Sequence, residues 1–207
     1  MSESPRFVVL VPVKTLALAK SRLSGLPDQR RQELAAAFAQ DTIAAVLDTP
    51  AVDRVLVLTD DFRFADKLAQ AGCTVIPDGA GDDLNSSLVQ AAADARRRWP
   101  GLRPVAVTAD LPTLTSHDLS DALAGVPDGP AYVADHVGSG TTLYTASYDE
   151  FAPLFGNDSA VEHALSGARA IEGDLPTLRL DVDDVGDLGR ALVLGVGTFT
   201  AAVTGRA

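Results

Sequence analysis

Short apolar runs alternate with longer amphipathic segments along the whole chain. Phe7 to Val13 is a continuous run rich in β-branched residues, the pattern of a strand buried on both faces. Pro27 and Asp28 mark a helix start, and Leu34, Phe38, Ile43 and Val46 carry a helical stripe through Leu47. The same reading gives a strand over Val55–Leu58, a helix over Phe62–Ala71 and a short strand over Thr74–Ile76. A helix over Leu84–Trp99 is stopped by the breaker pair Pro100-Gly101. Beyond it come a strand over Val105–Thr108 and a helix that Ser116 can cap, running through Leu123. Strands over Tyr132–Ala134 and Thr142–Thr145, a short helix over Ser159–Leu165 and a strand over Leu178–Val182 follow. Val185–Leu194 reads as the closing helix, with fraying expected after Val203. Strand and helix in alternation predict an α/β fold with a mostly parallel sheet. No repeat, low-complexity stretch or linker interrupts the pattern, so residues 1–207 are expected to form one domain.

Composition narrows this picture. With 207 residues, 46% hydrophobic and 22% charged, the chain can bury a core without disulfide or metal support. Its one cysteine, Cys73, excludes an internal disulfide and reads as a small buried residue in a reducing, cytoplasmic protein. No apolar run approaches the roughly 18–20 residues of a membrane span, and Met1 to Arg6 has no signal-type stretch. The net charge of −11 argues against a nucleic-acid partner, because an acidic surface repels a phosphate backbone.

In open α/β sheets ligands gather at the carboxyl ends of the strands, here Lys14, Thr59–Asp60, Asp110, Asp135 and Asp183. Lys14, Lys20 and Arg22 put three cations within nine residues after the first strand, where a triphosphate would lie; a solvated basic turn is the plainer alternative. Asp110, in Thr108-Ala109-Asp110-Leu111-Pro112, is either a ligand for a phosphate-bridging divalent cation or a turn residue. In Leu180-Asp181-Val182-Asp183-Asp184, strand alternation puts Asp181 and Asp183 on one face, where they repel unless a cation sits between them. Asp184, with Asp187 three residues on, reads as a helix cap. Gly138-Ser139-Gly140-Thr141-Thr142 and Phe155-Gly156-Asn157-Asp158-Ser159 suit anion binding through backbone and hydroxyl donors, or are two ordinary loops with a cap. Asn85, at a helix start, either reads a base edge or caps. His117, His136 and His163 lack metal-ligand spacing or a paired nucleophile. The absence of G-x-S-x-G and of G-x-G-x-x-G counts against serine hydrolysis and a dinucleotide cofactor.

The segments VPVKTLALAKSRL, TADLP, GSGTTL, FGNDSA and LDVDDVGDL occur in this order over nearly the whole chain. Together they resemble the phosphoenolpyruvate / 2-phospho-L-lactate guanylyltransferase family of coenzyme F-420 biosynthesis. The resemblance implies a three-layer, GT-A-like (Rossmann-like) nucleotidyltransferase fold related to the molybdopterin guanylyltransferases. It implies that Asp110, Asp181 and Asp183 hold Mg²⁺ and that Thr141, Gly156 and Ser159 bind the phospho-acid. The implied reaction joins phosphoenolpyruvate to GTP with loss of pyrophosphate, two Mg²⁺ ions between the anions and Lys14, Lys20 and Arg22 on the leaving group. The implied product passes to a deazaflavin transferase. One position departs from the family pattern: His136 stands where members often carry arginine. Phospholactate or 3-phosphoglycerate as acceptor, another GT-A-like transferase, and a silent nucleotide binder remain the alternatives.

Overall fold

Side-chain alternation along the first strand divides the interior in two. Phe7, Val9 and Val11 enter one buried cluster, Val8 and Leu10 another on the opposite face. In the computed structural model, which describes residues 5–14, 23, 25–81 and 83–206, this strand lies in the interior of a seven-stranded sheet, third from one edge. The strands are β1 (Phe7–Pro12), β2 (Val52–Leu58), β3 (Thr74–Ile76), β4 (Arg103–Val107), β5 (Ala131–Ala134), β6 (Thr141–Thr145) and β7 (Arg169–Ala170), in the order β3-β2-β1-β4-β6-β5-β7. β6 runs antiparallel to both of its neighbours; all other pairings are parallel.

Helices cover both faces, giving three layers. One face is closed by α1 (Asp28–Leu47), α2 (Phe62–Gln70) and α4 (Ser116–Ala124), through residues such as Ile43, Leu68 and Leu119. The other is closed by α3 (Leu84–Arg98) and α5 (Ser159–Leu165), through Leu88, Ala91 and Ala160. A third cluster packs Leu34 and Phe38 of α1 against Leu180, Val182 and Ala191 of α7 (Val185–Leu194). Among the described residues, no helix is long and apolar enough to cross a membrane.

Three expectations are corrected. Leu178–Val182 is not a strand. Pro176 instead opens a single helical turn, α6 (Pro176–Arg179), because its fixed φ suits a first helical position. The following residues form no regular element and do not join the sheet, and Val182 N–H is tied to the Asp110 carbonyl at 3.0 Å. The alternation survives all the same: Leu180 and Val182 are buried, while Asp181 and Asp183 are only half-buried. The cap of α4 is Thr115, whose side chain accepts from Asp118 N–H, rather than Ser116. Finally, α7 does not close the described chain. A further helix, α8 (Thr198–Thr204), packs on α1, and the buried Asp41 carboxylate of α1 accepts from Phe199 and Thr200 N–H at 3.0 and 2.8 Å.

Candidate active site

Parallel β1, β4 and β5 all end on one edge of the sheet, and antiparallel β6 begins there. Lys14 follows β1 and is exposed; Asp110 follows β4; Asp135 and His136 follow β5; Thr141 opens β6. Thr108 N–H bonds to the Thr142 carbonyl at 3.0 Å, which joins the Asp110 loop to the start of β6. Lys20 and Arg22 lie outside the described residues.

Asp110, Asp181 and Asp183 converge. One carboxylate oxygen from each lies within 4.8 Å of the others, and all three side chains are half-buried. Backbone bonds set this meeting. Thr42 of α1, fully buried, donates to the Phe38 carbonyl at 2.8 Å and accepts from Leu111 N–H at 3.1 Å, pinning the residue after Asp110. The Val182–Asp110 bond ties the second segment to the first. Asp187 then fixes the exit, accepting from both Asp183 and Asp184 N–H at 3.2 Å, while Asp184 caps α7 in a reciprocal capping box, as its spacing implied. Burial, followed by the charges of Asp110, Asp183 and Asp135, pushes the Asp181 carboxyl up to about 7. Three mutually repelling oxygen donors, with no thiolate or imidazole among them, suit a hard divalent cation. His136 stands beside this group, Nδ1 3.6 Å from Asp181 and Nε2 3.5 Å from Asp187.

A second cluster adjoins the first. Asp135 Oδ1 accepts from Gly138 and Ser139 N–H at 2.6 and 3.0 Å, folding the Gly138–Gly140 loop over the end of β5. Gly140 leaves room for this carboxylate, since a Cβ there would stand 2.5 Å from Asp135 Oδ2. Ala160 N–H bonds to the Ser139 carbonyl at 3.0 Å, which joins this loop to the start of α5. Thr141 and Ser159 are both buried, and His163, four residues beyond Ser159 on α5, joins that helix to Thr141 and Leu154: Nδ1 lies 3.0 Å from Thr141 Oγ1, and Nε2 accepts from Leu154 N–H at 2.9 Å. Gly156 takes φ +147°, and a Cβ on it would meet no atom within 4 Å. Thr141, Gly156 and Ser159 are thus brought together.

Asn85 sits in the first turn of α3, which Asp83 caps. Its amide faces the Phe155 backbone, donating to the carbonyl at 2.9 Å and accepting from N–H at 2.8 Å, so it holds the Gly156 loop against α3. His117 is surface-exposed, 3.6 Å from Asp121. Cys73 is buried, and burial pushes its thiol up to about 11, which makes it a poor nucleophile. Sequence reasoning set His163 aside, named Asp135 only by its place after a strand, and passed over Thr42. The spacing of Ser159 and His163, four residues apart on one helical face, was the available signal for the first.

A mostly parallel sheet that presents clustered carboxylates and a lysine at the carboxyl ends of its strands defines a nucleotidyltransferase of the α/β class. The fold is similar to that of a nucleotidyl transferase from Methanothermobacter, with a TM-score of 0.66 over 92% of this chain and 99% of that one at 18% identity. Within that class the chain belongs to the CofC-like guanylyl transferase family, whose model matches residues 7–203. It is 47% identical over 205 residues to the phosphoenolpyruvate guanylyltransferase of Streptomyces coelicolor, covering 97% of both chains. It is 45% identical over 206 residues to that of Salinispora arenicola, covering 97% of this chain and 94% of the relative.

Proposed function

We propose that this chain condenses GTP with phosphoenolpyruvate to give enolpyruvyl-diphospho-guanosine and pyrophosphate, in the cytoplasm, for coenzyme F-420 biosynthesis. The observation that carries the reading is the meeting of Asp110, Asp181 and Asp183 at the sheet edge of a CofC-like guanylyl transferase. A phosphate oxygen of phosphoenolpyruvate forms a bond to the α-phosphorus of GTP. The bond from that phosphorus to the oxygen bridging the β-phosphate breaks, and the electron pair leaves with pyrophosphate. The attacking oxygen is already ionised at neutral pH, so the chain needs no strong base. What opposes the reaction is repulsion between two anions, and the work of the site is to hold them in line. Asp110, Asp181 and Asp183 would hold Mg²⁺, which would supply positive charge to offset this repulsion. Lys14, Lys20 and Arg22 stabilise charge on the departing pyrophosphate. Asn85, expected at the nucleotide, instead acts on the acid side through the Gly156 loop that it holds, and Thr141, Gly156 and Ser159 bind the acid. The product then passes to the transferase that joins it to the deazaflavin.

The test offers the protein GTP, ATP or CTP with phosphoenolpyruvate, 2-phospho-L-lactate or 3-phosphoglycerate, and identifies products by mass. The expected outcome is one dominant product, from GTP and phosphoenolpyruvate. Preference for another acid would overturn the acceptor, and preference for another nucleotide would overturn the guanylyl assignment.

A further inference from the structure

His163 is 0% exposed, yet its ring touches every segment that carries the residues assigned above to the phospho-acid. It meets Thr141 at the start of β6 and the Leu154 amide just before Phe155-Gly156, and it lies one turn beyond Ser159 on α5. The ring is clamped by aromatic neighbours: Tyr144 and Tyr132 stack on it at centroid distances of 4.7 and 5.6 Å, and Phe155 meets it edge-on at 5.7 Å. Its orientation and its exclusion from water are therefore set by packing.

The hydrogen-bond polarity follows. Leu154 N–H can only donate, so Nε2 accepts and carries no proton. Burial pushes the imidazole down to about 4, so it is neutral at pH 7, and the Ser159 carbonyl, which can only accept, acts in the opposite direction. The one ring proton is thus on Nδ1, facing Thr141 Oγ1 at 3.0 Å. A threonine hydroxyl that accepts from Nδ1–H keeps its own proton for donation. A carboxylate or phosphate only accepts; the reverse tautomer would spend the hydroxyl proton on the ring and aim lone pairs at the anion.

We propose that His163 is a positioning residue of the phospho-acid half-site, fixing the Thr141 hydroxyl as a donor toward the bound anion and seating the turn that leads into Gly156. The inference rests on the assignment of Thr141, Gly156 and Ser159 to that half-site. His163 touches no substrate itself; its effect passes through Thr141 and the Leu154 amide.

Two amide variants separate the ring's two bonds. His163→Asn keeps an N–H near the place of Nδ1; His163→Gln keeps a carbonyl that can reach the Leu154 amide and loses the donor to Thr141. Losing a hydrogen bond to an anion predicts that His163→Gln raises the phosphoenolpyruvate KM about tenfold and moves the GTP KM less than about twofold. His163→Asn should recover most of the loss. Thr141→Val should match His163→Gln, and the double variant should be no worse than Thr141→Val alone, because both act through one hydroxyl. Equal losses for both substrates, or an Asn variant no better than Gln, would overturn the proposal, and so would a wild-type phosphoenolpyruvate KM in His163→Gln beside a raised one in Thr141→Val. An unchanged phosphoenolpyruvate KM in Thr141→Val itself would instead remove the half-site assignment beneath it. Nitrogen-15 NMR of the wild-type histidines reads the tautomer without any variant: protonated Nδ1 supports the proposal, and protonated Nε2 at His163 contradicts it.

Discussion

Asp181 is held where its own charge is unfavourable. Its carboxyl rises from 3.8 to about 7, first through burial and then through three neighbouring aspartates. A folded-state value above the unfolded one means stability that is present below pH 3.8 and lost as pH rises through about 7. At pH 8 the metal-free protein therefore carries this strain in full. Asp181→Asn should raise its melting temperature at pH 8, each kcal/mol relieved being worth roughly 2–4 °C. The same change should abolish both turnover and the melting-temperature gain from Mg²⁺. Melts with and without Mg²⁺ check both halves; a lower melting point in the metal-free variant would contradict the strain. His163 has the opposite sign. Its folded value of about 4 lies below the usual 6.5, so its contribution is full above pH 6.5 and fades as pH falls toward 4. That contribution is on the order of 3 kcal/mol. Denaturant unfolding at pH 7 and pH 4.5 should show a smaller acid loss in His163→Gln than in the wild type.

The site's geometry depends on short elements joined by backbone bonds. The turn at Asp110 is set by Thr42 from the later half of α1, 69 residues from Leu111, and by Val182 from the segment after α6. Thr42→Val keeps the shape and leaves the buried Leu111 N–H without its acceptor, at a cost of about 1–3 kcal/mol. Turnover should fall with Asp110 displaced, while the fold persists by circular dichroism; unchanged stability would show that the bond is dispensable. These ties explain what the sequence could and could not reveal. Asp181 and Asp183 were paired from strand alternation, and their carboxylates do converge, yet no strand is present: burial alternates from Leu180 to Asp183 although these residues do not join the sheet. The turn of α6 is too short for periodicity to register, and so is the two-residue β7. Asn85 shows the limit from another side. Its place at a helix start was legible, but its partner, the Phe155 backbone, lies 70 residues on.

Over the whole molecule, the legible features were those that repeat. Continuous apolar runs marked the buried strands, and helical stripes marked α1, α2 and α3. α8 escaped because Thr198–Thr204 is weakly apolar and takes its capping carboxylate from Asp41, more than 150 residues earlier. The strand order could not be read at all, yet it does the functional assembly. Inserting antiparallel β6 between β4 and β5 brings the start of one strand beside the ends of two others, so Thr141 faces the same edge as Asp110 and Asp135. On a chain of net charge −11, that edge is where two further anions must meet. Under the proposed function, a cation held by Asp110, Asp181 and Asp183, not surface potential, would offset that repulsion. The decisive measurement is pyrophosphate release from GTP by wild type and a folded Asp110→Asn variant, with phosphoenolpyruvate and Mg²⁺ supplied or withheld. The account predicts release only from the wild type with both present, and at least a hundredfold less, in order of magnitude, from the variant. Comparable release from Asp110→Asn, or from the wild type without Mg²⁺, would contradict it.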